Sequence, residues 1–156
     1  MTDYIRRYVI PAAFSLLPSA MVSEQAVPML MAIGWQESRF AYRRQVNGPA
    51  RGFWQFEAGG GVVGVLGHRD TKEPARRALV LLAYPHEPTP HGVHTAIEHN
   101  DVLACVLARL LLWTVPGDLP RQHEPDEAWR QYLSAWRPGK PHETTWAQSW
   151  QVGHAA

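Results

Sequence analysis

Cysteine is almost missing from this chain: Cys105 stands alone among 156 residues, so the fold does not rest on an internal disulfide. Its neighbours are apolar enough to predict a core position. Charge of one sign is also missing, because 15 basic and 14 acidic side chains are spread along the whole sequence for a net charge of +1. Without a basic block to displace counterions, nucleic acid is not an expected partner. Long hydrophobic runs are absent too: the longest, residues 102–107 continuing past Arg109 to Val115, falls short of the roughly 20 residues that cross a bilayer. Membrane insertion is therefore not expected. Strand-like alternation is scarce, and no repeat, low-complexity tract or dividing linker is visible. What remains, 46% hydrophobic and 19% charged, reads as one globular domain over residues 1–156.

Helical spacing dominates. Arg6 and Arg7 precede an apolar run over residues 8–17, with Ser19 and Ala20 behind it, an order that also occurs in export signals. Pro11 and Pro18 interrupt the run, and the reading adopted is an amphipathic first helix. Ser23 is positioned to cap a second helix with Val27, Leu30, Met31 and Gly34 facing inward, Pro28 being tolerated in the first turns and Glu37 arriving near the end. Residues 47–52 read as a tight turn, with any small strand element near residues 48–56. Gly59, Gly60 and Gly61 open a short helix through Val62, Val65 and Leu66. Thr71 starts another with Ala75, Ala78, Leu79 and Leu82 on one face.

Residues 84–99, rich in proline and histidine, read as a loop. Asn100 then caps the most apolar helix, residues 101–113, whose only charge after the first residue is Arg109. A helix apolar all round must be enclosed, so this one is predicted to be the centre of the core. Asp126 is placed to cap a helix carrying Trp129, Tyr132, Leu133 and Trp136 at helical spacing and ended by Arg137, Pro138 and Gly139. A last short helix sets Trp146 beside Trp150. The fold class expected is mainly α, a single helical domain around one buried central helix.

The segment with chemical content runs over residues 33–66. Gln36, Glu37 and Ser38 are followed, 14 residues after the glutamate, by Arg51-Gly52-Phe53-Trp54-Gln55-Phe56. This pattern resembles the lytic transglycosylase and goose-type lysozyme superfamily, in which a Glu-Ser pair ends a helix and a Gly-Leu-Met-Gln-like turn follows at comparable spacing. The resemblance implies a lysozyme-like fold and cleavage of the β-1,4 bond between N-acetylmuramic acid and N-acetylglucosamine, with peptidoglycan glycan strands as partner and no cofactor. Glu37 takes the part of general acid, then base. A glycosidic oxygen leaves poorly unless it receives a proton, and an exposed Glu with a pKa near ~4.3 is ionised at neutral pH. Surrounding Glu37 with Trp35, Phe40 and Trp54 is expected to exclude water and raise its pKa toward ~6, as in lysozymes.

By the same resemblance, Ser38 positions the carboxyl or the sugar, though its hydroxyl also fits an ordinary helix end. Gln55 lines the glycan groove and orients an N-acetyl group, Gly52 lets the backbone pass close to the sugar, and Trp54, like Trp35, offers an aromatic face. For Gly52 and Gln55, plain turn chemistry fits equally. Glu57 is the candidate second carboxylate for water attack, or a charge at a helix N-terminus ahead of Val62. A transglycosylase needs no such partner, because the acetamido group and 6-hydroxyl of the substrate complete the reaction and leave an anhydro product. The superfamily's third motif, a Tyr-Asn pair, has its nearest match at Tyr132, with Leu133 and Ser134 where Asn and a small residue are expected. The helical spacing of Tyr132 favours burial.

His91 and His94 lack companions at zinc-ligand spacing, so no metal is expected. The compact chain, its seven tryptophans and the absence of a secure export signal are similar to bacteriophage lytic or virion-associated proteins, made in a host cytoplasm, acting at the cell wall and contacting other virion proteins. Two other classes remain open at this point: a virion scaffold or adaptor that keeps the shape without activity, and a glycan-binding module without turnover.

Overall fold

The first apolar run continues through a single helical segment in the computed structural model, which describes residues 1–155. Helix α1 (Thr2–Tyr4) passes through a π-helical turn, Ile5–Val9, into α2 (Ile10–Ser15). Pro11 explains the π turn: it has no N–H, and its ring meets the carbonyl four residues back, so the turn just before it widens, with Ile10 N–H donating to Ile5 O. Ile5, Val9, Ile10 and Ala13 are buried, the amphipathic stripe expected. Arg6 is part of the fold, since its Nη2 donates to the carbonyls of Val152 and Gly153 at 3.1 and 2.8 Å.

Helix α3 (Ala26–Ser38) is enclosed along most of its length, from Met29 through Gly34. Its start differs from expectation: Ser23 contributes its backbone carbonyl to Ala26 N–H at 3.1 Å, and no side chain caps the helix. Residues 44–56 make isolated bridges, Arg44 with Arg51 and Arg51 with Phe56, and no strand is present among the described residues. A π turn, Ala58–Val62, leads into α4 (Val63–Gly67), and α5 (Lys72–Leu81) follows Thr71.

The loop read over residues 84–99 is corrected: most of it is helix α6 (Pro90–His99). Thr89 caps it, its Oγ1 accepting from Gly92 N–H at 3.1 Å, and Pro90 occupies the first turn, where a missing N–H costs nothing. Helix α7 (Asp101–Trp113) has the expected bounds and cap, Leu103 N–H donating to Asn100 Oδ1 at 3.0 Å, and every position from Leu103 to Leu112 is buried. Helix α8 (Pro125–Trp136) starts one residue before the expected cap at Asp126, with Pro125 in its first turn and no side-chain cap. A 3-10 turn, Glu143–Thr145, opens α9 (Trp146–His154), where the rings of Trp146 and Trp150 lie 6.1 Å apart.

The molecule is thus mainly helical. Two enclosed helices rather than one organise it, because α9 lies against α3 as closely as backbone allows: a Cβ at Gly153 would fall 2.4 Å from Pro28 O. Gly153→Ala is expected to destabilise by about 1–3 kcal/mol through overpacking against rigid backbone, whereas Gly59→Ala, with nothing within 4 Å of its Cβ, stays within about 1 kcal/mol of wild type. Urea unfolding of the two variants checks the contrast.

Candidate active site

Helix α3 ends abruptly because Arg39 and Phe40 both adopt the left-handed region, each at φ 52°. Neither is glycine, so the reversal costs roughly 1–2 kcal/mol per residue and must be held in place. Ser38 holds it. Its buried hydroxyl donates to Phe53 O at 2.7 Å and accepts from Phe40 N–H at 3.1 Å, fastening the 52–56 turn to the helix end. Phe40 then folds back over Gly34, where a Cβ would stand 2.3 Å from the ring. Arg43, whose carbonyl accepts from Gly52 N–H at 2.7 Å, ties that turn to α7 by a two-pronged bond to Asp101, at 2.7 and 2.8 Å.

Glu37 sits at this reversal, partly open to solvent. The Tyr42 hydroxyl returns to donate to its backbone carbonyl at 3.1 Å. From α8, the Tyr132 hydroxyl donates to Glu37 Oε1 at 2.6 Å. Tyr132 is buried in an aromatic cluster: Trp146 stacks on it with ring centroids 5.3 Å apart, and Trp129 and Trp136 lie at 5.2 and 6.2 Å. Burial pushes the Glu37 carboxyl up to about 7, and the Tyr132 bond, which favours the ionised form, pulls back against that rise. Burial and the neighbouring carboxylate push the tyrosine well above its usual range, so it remains a donor. With Oε1 engaged, Oε2 is the atom left to carry the acid proton.

The other expected site residues divide. Ser38 acts through the turn and, at 1% exposure, offers no surface to a sugar. Trp54 is a correction: it is fully buried, its indole N–H donates to Leu30 O at 2.8 Å, and its own carbonyl accepts from Trp136 Nε1, so it is a wedge under α3 and presents no face to a glycan. Gly52 is needed for its φ of +72° and for close approach to Ala104 of α7 and to the backbone of Ile97 in α6, the turn chemistry expected. Gln55 is half-buried at φ 50° and donates to Gly52 O at 2.8 Å, the turn chemistry. Glu57 is exposed at the start of the π turn, and no hydrogen bond or ion pair joins it to Glu37 among the described residues. Of the two histidines weighed as metal ligands, His91 is exposed and His94 Nε2 donates to Phe56 O at 3.0 Å.

Three sets of contacts around the site leave no mark in the sequence, one of them made by Gln36 of the motif itself. Tyr42 and Trp146 come to Glu37 and Tyr132 from outside the motif. Gln36 braces α3 to α9, its Oε1 accepting from Ser149 Oγ at 2.6 Å and Thr145 Oγ1 at 3.1 Å. Trp35, Gln36, Arg39 and His142 line a surface hollow of about 250 Å³ beside the same helix end. Glu37 does not line that hollow. No family model matches this chain, and no curated protein or solved structure was found to be similar to it.

The raised acidity constant has a stability consequence with a definite sign. The native state binds the Glu37 proton more tightly than the unfolded chain does, so this stabilisation is complete below about 4.5 and lost as pH rises to about 7. Glu37→Gln keeps the acceptor for Tyr132 and removes the titration. It is expected to match wild type at low pH and exceed it by up to about 3 kcal/mol at pH 8. Tyr132→Phe removes the bond that lowers the pKa and moves the falling limb to higher pH. Denaturant midpoints across pH check both.

Proposed function

We propose that this protein cleaves the β-1,4 glycosidic bond between N-acetylmuramic acid and N-acetylglucosamine in peptidoglycan, with Glu37 as general acid and then general base. The observation that carries the reading is the Tyr132 hydroxyl donating at 2.6 Å to Glu37 Oε1, on a carboxyl that burial raises to about 7, so that about half of it holds its proton at neutral pH. The resemblance of the Gln36-Glu37-Ser38 and Gly52-to-Gln55 segments to the lytic transglycosylase and goose-type lysozyme superfamily supplies the substrate. Tyr132 strengthens it, since a tyrosine hydroxyl close to the acid is what that superfamily's third motif provides. The setting proposed is a bacteriophage lytic or virion-associated protein acting at the cell wall.

In the proposed reaction, the Oε2 proton passes to the glycosidic oxygen as the C1–O bond breaks, and the departing sugar leaves as a neutral alcohol. Positive charge on C1 is shared by the substrate's acetamido oxygen. Either the muramyl 6-hydroxyl or water then adds to C1, returning its proton to the carboxylate. The exposed position of Glu57, with no tie to Glu37, favours the transglycosylase outcome, in which the second oxygen comes from the substrate itself. Tyr42, exposed and bonded to the Glu37 carbonyl, is the aromatic surface this reading assigns to the glycan beside the acid, and Trp35 offers a second at the neighbouring hollow.

Purified peptidoglycan incubated with wild type is expected to release soluble fragments carrying an anhydro end, lighter by one water than the hydrolytic product. Glu37→Gln is expected to lower the rate by at least ~100-fold. Because the protonated form is the competent one, the wild-type rate is expected to fall above about pH 7. Mass analysis of fragments decides: hydrolytic ends correct the outcome assigned here, binding without fragments leaves a glycan-binding module, and neither leaves a scaffold.

A further inference from the structure

The far end of α3 presents a different chemistry. Arg109, in the enclosed helix α7, is only 3% exposed, yet among the described residues it has no acidic partner. Its side chain makes one hydrogen bond, Nε to Met21 O at 2.6 Å, and its buried Nη1 has no acceptor. The guanidinium lies over the Trp113 ring at 5.2 Å. Burial lowers its pKa only to about 10, so it is charged at neutral pH. A buried charge without a counter-ion is among the costliest arrangements a fold can keep, and buried polar hydrogens without acceptors are rare.

Arg109 forms part of the wall of a hollow of about 600 Å³. Leu112, Trp113, Val115, Pro116 and Leu119 give it an apolar side, while Ser23 and Gln25 enter from the approach to α3. Asp118 and Arg121, both exposed, are the other charged residues in its lining, so the hollow carries one net positive charge. One negative charge balances it. A doubly charged phosphate would leave surplus negative charge beside Asp118, and a simple inorganic ion would leave the apolar wall uncovered. Gln25 and Glu37 stand at opposite ends of α3, roughly 18 Å apart at 1.5 Å per residue, so this hollow is separate from the acid.

We infer that the hollow beside Arg109 is a binding site for a monocarboxylate borne on an apolar body. The carboxylate pairs with the Arg109 guanidinium, and the body covers Trp113 and its apolar neighbours. This site does not depend on the reaction assigned to Glu37. A carboxylate of this kind has two sources, a free aliphatic acid and the C-terminus of a peptide ending in an apolar residue. Hexanoate represents the first and N-acetyl-leucine the second.

The test is thermal unfolding of the full chain in each probe, with sodium chloride at equal ionic strength, acetate, inorganic phosphate and N-acetyl-leucine amide as controls. Hexanoate or N-acetyl-leucine is expected to raise Tm saturably and to shift the Trp113 indole N–H resonance. The better of the two identifies the source. Acetate is expected to act weakly, and chloride and the amide not at all. Arg109→Met is expected to abolish the shift. If that variant does not fold, Asp118→Asn serves instead and is expected to tighten binding about two- to fivefold by removing an opposing charge. No saturable shift with either carboxylate, a larger shift with phosphate, or a hexanoate response unchanged in both variants would overturn the assignment.

Discussion

The contact between the Tyr132 hydroxyl and the Glu37 carboxyl, 2.6 Å long, is where the separate constraints of this fold converge. A carboxyl can sit among apolar groups as a neutral acid only if its oxygens find partners, and a single donor that never ionises in the physiological range satisfies one oxygen without fixing the charge. One residue that orients the pair adjoins Glu37, and the others are remote in sequence. Ser38 clamps the helix end, Trp146 stacks on the tyrosine from α9, and the 52–56 turn wedges Trp54 beneath α3.

That arrangement is maintained against opposing costs. Two left-handed residues follow Glu37, and a carboxyl is held away from its ordinary acidity; each is unfavourable alone. Local departures of this kind concentrate where an arrangement is kept for its chemistry rather than for its stability, and here they fall within four residues of one another. The buried Arg109 is a comparable departure at the opposite end of α3. Helix α3 thus has an unusual ionisable group near each end: at its C-terminal end its own Glu37, an acid with a raised pKa, and beside its N-terminal approach Arg109 of α7, a buried base that stays charged.

Much of the fold was legible because burial leaves a periodic trace. The apolar positions of α7 and its Asn100 cap set its bounds correctly, and Glu37 was located at a helix end from the spacing before it. Where composition was weighed above local chemistry, the reading failed: prolines and histidines in 84–99 masked the Thr89-Pro90 start and the Val93, His94 and Ile97 face of α6. Caps assigned to Ser23 and Asp126 were misplaced because a carbonyl and a proline there do what a side chain was expected to do.

The candidate site was half legible for a related reason. Trp54 stands near Glu37 in the sequence and was read as a groove wall, but its turn directs the indole under α3. Tyr132 is expected both as the match to the third motif, a candidate for substrate binding, and from its helical face as a buried residue; it is buried. The face it shares with the core is also the face that meets the end of α3, and only the packing of α8 and α9 around that point could reveal it. Pairings such as Tyr132 with Trp146, or Gln36 with Ser149, leave no periodic signal.

The most direct test is the ionisation of Glu37 itself. With 13C-labelled glutamate side chains, the Glu37 carboxyl resonance is assigned by its loss in Glu37→Gln and followed across pH. A midpoint near 7 is the expected result. A midpoint near 4.5, the value of an ordinary carboxylate, would contradict the account of a neutral, buried acid at this site.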